Sequence, residues 1–309
     1  MDYPGPKDDM IIFALSAGLR GLKLYVDNRH HYGVLMLPLE EGQDLERDTT
    51  NLLHTLLEAT VKGPVIEVLP EFKPLLKPLP QKSKLGFDKI FMVNLERRPD
   101  RHQRMKYNFD QLGIDYEWVP AMDGRTIDEA LLAKEGIAML PDFSEPYHGR
   151  PLTYGEIGCF LSHYRLWQKV VDQDLDQVLI FEDDIKFEPF FVSKLEHLKQ
   201  ELTELGERWD LVFLGRKILH NSEEPWVKGS QQLVRVDYTY WTLAYLLTRY
   251  YSWYSCSSIP LSTTQTRGRD LAGGQPPGQD GSCGRVPAHH VRKVSTSRPT
   301  HCLRIHFSV

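Results

Sequence analysis

Short apolar runs alternate with segments of helical period from residue 87 to residue 247. Residues 89–95 (Lys-Ile-Phe-Met-Val-Asn-Leu) form an apolar run of strand length. Asp100 follows as a helix cap, and Met105, Phe109 and Leu112 continue at helical spacing. Residues 116–120 predict a second strand that runs into Asp123-Gly124, and residues 126–135 a helix. Thr153 opens a further helix through Ile157, Phe160, Leu161, Tyr164, Trp167 and Val170. Residues 178–181 predict a third strand and 190–205 a helix. Residues 211–214 predict a fourth strand, closed by Gly215-Arg216-Lys217, and 238–247 a final apolar strand or helix start. Strands alternating with helices imply an α/β sheet with its binding groups beyond the carboxyl ends of the strands.

Outside this region the pattern weakens. Residues 22–26 and 34–37 read as two short strands around a turn at Gly33. Residues 44–61 read as an amphipathic helix carrying Leu52, Leu53, Leu56, Leu57 and Val61 on one face. His30-His31 has no third ligand nearby and reads as a pair of loop histidines. Pro64, Pro70, Pro74, Pro78 and Pro80 interrupt residues 64–86, which read as a linker.

Composition adds little for most of the chain, with 41% hydrophobic and 26% charged residues in 309, so a sizeable core is expected. The net charge of −5 gives no case for nucleic-acid binding. Charge does change the view of the C-terminus. From Arg249 onward eight basic residues face two acidic ones, amid Gly273-Gly274 and Pro276-Pro277. Such a stretch buries too little to offset its ordering entropy and is expected to be disordered. The longest apolar run, residues 10–17, is too short to span a bilayer, and no secretory signal or retention signal is read in the sequence. The cysteines, Cys159, Cys256, Cys283 and Cys302, form no C-x-x-C pattern; zinc is therefore not expected, and Cys159 reads as a packed thiol.

The chemistry concentrates at Phe181-Glu182-Asp183-Asp184, where the third strand runs out into acids. Strand alternation would place Glu182 and Asp184 on one side and Asp183 on the other. Two carboxylates so placed suit a hard divalent cation that also binds a diphosphate; a solvated acidic strand end is the plain alternative. Arg97, Arg98 and Arg101 follow the first strand, where guanidinium forks match phosphate oxygens, though a basic helix start would look the same. Thr153 and Glu156 form a capping box. Gly155 and Gly158 inside that helix suggest that a ligand or another backbone comes close. Ser162 and His163 either reach a sugar or ribose or are satisfied in the core. No general base can be named.

Residues 87–101, Ala121-Met122-Asp123-Gly124, residues 152–163, Phe181-Glu182-Asp183-Asp184 and Gly215-Arg216-Lys217 together resemble, in this order, the glycosyltransferase family 25 domain. Residues 146–153 and 237–245 narrow the resemblance to the animal procollagen galactosyltransferases and their relative, the cerebral endothelial cell adhesion molecule. The resemblance implies a GT-A-like nucleotide-sugar transferase fold, a mixed sheet flanked by helices. It implies four stretches: the trailing part of an upstream transferase-like domain (1–63), the linker (64–86), an incomplete family 25 domain (87–247) and a divergent, disordered tail (248–309). It implies inverting transfer of galactose from UDP-galactose to collagen hydroxylysine, with Mn2+, in the lumen of the endoplasmic reticulum. The candidate donor-binding residues are then Asn94, Arg97, Arg98, Arg101, Asp123, Gly124, Glu156, Ser162, His163, Asp183 and Arg216, and the candidate metal ligands are Glu182 and Asp184. A non-catalytic binding paralogue, or an inactive product that keeps the fold, is the alternative that the resemblance leaves open.

Overall fold

The computed structural model describes residues 9–27, 29, 45–65, 70–71, 78–135, 137, 149–206, 209–218, 224–236, 239–257 and 302–305. The chain divides into two compact units, Met1–Pro38 and Leu39–Val309. In the first, helix α1 (Asp9–Leu19) occupies the apolar run. Residues 22–26, expected as a strand, are irregular there, with Tyr25 and Val26 exposed and no ladder partner among the described residues. A strand needs such a partner for its backbone groups. The second expected strand, 34–37, and the His30-His31 pair lie outside the described residues.

The second unit is a mixed α/β sheet flanked by helices, as expected. Its strands are β1 (Lys89–Asn94), β2 (Glu117–Pro120), β3 (Gln177–Glu182), β4 (Leu211–Ile218), β5 (Leu233–Arg235), β6 (Thr239–Thr248) and β7 (Cys302–Ile305). Their order is β2-β1-β3-β6-β4-β7-β5. β1 runs parallel to β2 and β3, whereas β6 is antiparallel to β3 and β4. Its helices are α2 (Leu45–Lys62), α3 (Pro99–Leu112), α4 (Glu129–Lys134), α5 (Tyr154–Asp172), α6 (Phe191–Leu205) and α7 (Arg249–Ser257).

Alternation along the buried strands sorts the core into two layers. Ile90, Met92, Leu179, Phe181 and Leu246 face one side, against Met105 and Phe109 of α3 and Leu195, Leu198 and Leu202 of α6. Phe91, Val93, Val178, Ile180 and Tyr245 face the other, against Phe160, Leu161, Trp167 and Val170 of α5. Helix α2, which the sequence groups with the upstream block, joins the first layer through Leu57, and Thr60 hydrogen-bonds Asn108 of α3 at 3.3 Å.

Four boundaries differ from expectation. α3 starts at Pro99 with Arg98 as its cap, because proline's fixed φ suits the first helical position, and Asp100 pairs with Arg98 instead of capping. The expected helix 126–135 is a 3-10 turn (Gly124–Thr126) followed by α4, which Asp128 caps. β4 continues through Gly215-Arg216-Lys217 because β6 pairs with it beyond that point. In the tail, Arg249–Ser257 is helical because α5 gives it an apolar partner, with Tyr251 buried against Trp167, and Cys302–Ile305 pairs between β4 and β5. The remaining tail residues lie outside the described ones.

Candidate active site

A cavity of about 410 Å³ opens beyond the carboxyl ends of β1 and β3. Each wall has a local cause. Asn94 ends β1 and is buried; its amide donates to the Arg98 carbonyl at 3.2 Å and to Asp183 Oδ2 at 2.6 Å, stapling the two strand ends together. Arg101, on the first turns of α3, donates from one nitrogen to Asp183 Oδ1 at 2.8 Å and Asp184 Oδ2 at 3.2 Å. Burial works against its charge, but the two aspartates outweigh it and hold the guanidinium above its ordinary value. Arg104, one turn further, donates to the Asp183 carbonyl oxygen.

The acids are not arranged by strand alternation. β3 ends at Glu182, and Asp183-Asp184 lie in the turn that follows. The expectation that Glu182 and Asp184 share a side by pleating therefore does not apply. All three acids nevertheless line the same cavity, because the turn folds back over the strand end. Asp183 and Asp184 converge on Arg101, while Glu182 faces His163 and Thr242. The Asp184 carboxyl is pushed above its ordinary value by burial and by Glu182.

The third wall is the 121–125 loop against α5. Asp123 accepts from Arg97 Nε at 2.6 Å and from the Arg125 N–H at 3.0 Å, and that N–H and Arg97 hold it below its ordinary value. A Cβ on Gly124 would stand 2.5 Å from the Tyr154 carbonyl oxygen, and one on Gly158 would stand 2.6 Å from the Met122 carbonyl oxygen. Glycine at both places lets loop and helix backbones touch. A Cβ on Gly155 would meet nothing closer than 3.8 Å, so this glycine, also in the cavity wall, serves no such contact. Ser162 accepts from the Met122 N–H at 2.8 Å and donates to the Gly158 carbonyl at 2.6 Å, fastening the same loop.

His163 is buried. Its Nδ1 lies 2.8 Å from Tyr245 Oη, to which Trp167 Nε1 donates at 3.1 Å, and its Nε2 lies 3.2 Å from Glu182 Oε1. Burial alone would discharge the ring, but Tyr245, Cys159 and Glu182 outweigh it and hold His163 well above its ordinary value.

The cavity thus gathers Asn94, Arg97, Arg101, Asp123, Gly124, Ser162, His163, Glu182, Asp183 and Asp184. Three sequence candidates lie elsewhere. Arg98 caps α3 and pairs with Asp100. Glu156 is occupied by the capping box and by Arg150, which bring its carboxyl down to about 2. Arg216 is a fully buried partner of Glu224, because β4 runs on past the point where the sequence ends it. The sequence reading missed Arg104, although its spacing of three from Arg101 on a helix puts both on one face. It also gave no role to Tyr245, Thr242 and Trp167, whose convergence on His163 and Glu182 needs the β3–β6 pairing and the packing of α5.

Glu182, Asp183 and Asp184 line one cavity and offer oxygen, the donor that a hard divalent cation prefers. With guanidinium groups opposite, they suit a ligand that is itself anionic.

Comparison with known proteins gives the family. Residues 87–224 match the family described as glycosyltransferase family 25 (LPS biosynthesis protein), and residues 1–56 match the glycosyltransferase family 25 N-terminal domain. A glycosyltransferase 25 family member of Aedes aegypti is 44% identical over 246 residues, 80% of this chain and 40% of its own. Procollagen galactosyltransferase 1-A of Xenopus laevis is 42% identical over 249 residues, again 80% and 40%. Inactive glycosyltransferase 25 family member 3 of Homo sapiens is 40% identical over 246 residues, 80% and 41%. The chain spans about 40% of the length of these relatives.

Proposed function

The chain belongs to glycosyltransferase family 25, and from that premise we propose that its cavity binds a nucleotide-sugar donor, UDP-galactose, for inverting transfer to hydroxylysine of collagen. The observation that carries the reading is the meeting of three acids and two arginines at the ends of parallel strands. The acceptor rests on the likeness to a relative named procollagen galactosyltransferase.

In this reading Arg97 and Arg101 contact the diphosphate. Each is held by an aspartate, so the guanidinium planes are oriented before the donor arrives. Asn94 and Arg104 fix the Asp183 backbone and side chain, so the acidic turn does not reorganise on binding. The 121–125 loop, fastened by Ser162 and by the glycine contacts, bounds the sugar subsite. Asp184 and Glu182 would hold Mn2+, which when bound neutralises charge on the departing diphosphate. Inversion also needs a base at the acceptor hydroxyl. Each acid lining the cavity already has a cationic or donor partner, so that base is assigned to no residue here. The compartment we propose for this reaction is the endoplasmic reticulum lumen.

A second reading, binding without transfer, is favoured by one observation: relatives named inactive resemble the chain to a similar degree. Calorimetry tests the donor site, and a transfer assay on hydroxylysine peptides separates the two readings. UDP-galactose binding that requires Mn2+ and disappears in Asp184→Ala is the expected result; a folded chain that binds nothing overturns the proposal. Metal-dependent binding without transfer to hydroxylysine peptides would select the second reading.

A further inference from the structure

At the floor of the cavity three donors of mixed chemistry meet. Cys159 and His163 stand four residues apart on α5, so both present on one helix face, and Glu182 closes β3 opposite them. The Cys159 sulfur, a His163 ring nitrogen and a Glu182 oxygen all lie within 4.8 Å of one another. His163 Nε2 and Glu182 Oε1 are 3.2 Å apart, close to the edge of a tetrahedron whose corners stand about 2.0–2.1 Å from a central ion. Nδ1 is held at Tyr245 Oη, 2.8 Å away, and Trp167 fixes that hydroxyl in turn. Metal-binding histidines are oriented through their second nitrogen in this way. All three donors line the cavity, so an ion reaches them from the cleft.

Sulfur, imidazole and one carboxylate do not suit Mn2+ or Mg2+, which prefer oxygen; they suit zinc. We propose that Cys159, His163 and Glu182 form a zinc site, with water as the fourth ligand. It is distinct from the oxygen-donor site assigned to Glu182 and Asp184 but shares Glu182 with it. The zinc site stands on geometry alone; the sharing of Glu182 rests on the transferase reading.

The test uses Co2+ as a spectroscopic stand-in for zinc, on the full chain with Cys256, Cys283 and Cys302 replaced by serine, so that Cys159 is the single thiol. The expected result is a near-ultraviolet thiolate-to-cobalt band that one equivalent of Zn2+ abolishes. Cys159→Ser should lose the band and at least tenfold in zinc affinity, with an unchanged melting midpoint confirming the fold. Should that variant not fold, alkylation of Cys159 in the parent decides: zinc should slow it at least tenfold. Cobalt binding without the band, a band that survives Cys159→Ser, or alkylation indifferent to zinc would each overturn the site. No readout involves UDP-galactose, so failure here leaves the transferase reading standing, and the reverse holds.

Discussion

Arg101 bridges Asp183 and Asp184 from a single nitrogen, and Asp183 is nearly buried. Arg101→Ala leaves that carboxylate with Asn94 as its remaining side-chain donor in the cleft. A drop of about 1–3 kcal/mol is expected in urea unfolding, since a buried charge loses its partner. Arg101→Lys should recover part of it. The two helix glycines should behave oppositely. Gly158→Ala drives a methyl into the Met122 carbonyl and should cost about 1–3 kcal/mol. Gly155→Ala meets only an ordinary contact, Thr153 Oγ1 at 3.8 Å, and should leave stability unchanged or raise it by up to about 1 kcal/mol. Equal losses from both would refute the distinction between backbone contact and cavity lining. The two cases cannot be told apart in sequence, because each is simply glycine within a helical period; what each side chain would strike depends on where the 121–125 loop lies.

The N-terminus of α5 ties stability to pH. Thr153 and Glu156 satisfy each other's backbone N–H groups, and Arg150 adds two charged hydrogen bonds to the same carboxylate. Thr153→Ala should cost about 1 kcal/mol. The Glu156 carboxyl sits near 2 in the folded chain, against an ordinary 4.5, so its contribution is fully present above pH about 4.5 and is lost as pH falls toward 2. Urea midpoints of the wild-type chain and Glu156→Gln should therefore differ most above pH 4.5 and converge on acidification. A gap that stays constant with pH would exclude the carboxylate as its source. This cap was legible from Thr153-x-x-Glu156 because it is made within four residues. The cap of α3 and the start of α4 were misread, because Pro99 and Asp128 compete with nearby alternatives.

For the whole molecule, the buried ladders of β1, β3, β4 and β6 contrast with the irregular, exposed residues 22–27. Amide exchange should be slowest in β1, β3 and β6, whose side chains are packed on both faces, and fastest in residues 22–27. Rapid exchange in β3 would contradict its central place, with β1 and β6 on its two sides. Among the described residues no helix is long and apolar enough to cross a membrane.

Strand and helix succession, the acidic strand end and the capping box are properties of residues near one another in the chain, so the sequence by itself determined them. It also singled out polar side chains most of which line one cavity. Tertiary structure decided their geometry. The strand stops at Glu182, so Asp183 and Asp184 lie in a turn; the Arg216 side chain is buried against Glu224, while Arg101 lines the cleft. His163 turns toward Glu182 because Tyr245, 82 residues away, and Trp167 fix its other nitrogen. Those outcomes depend on which strands pair and which layers pack. Long-range burial sets both, and no local period encodes it.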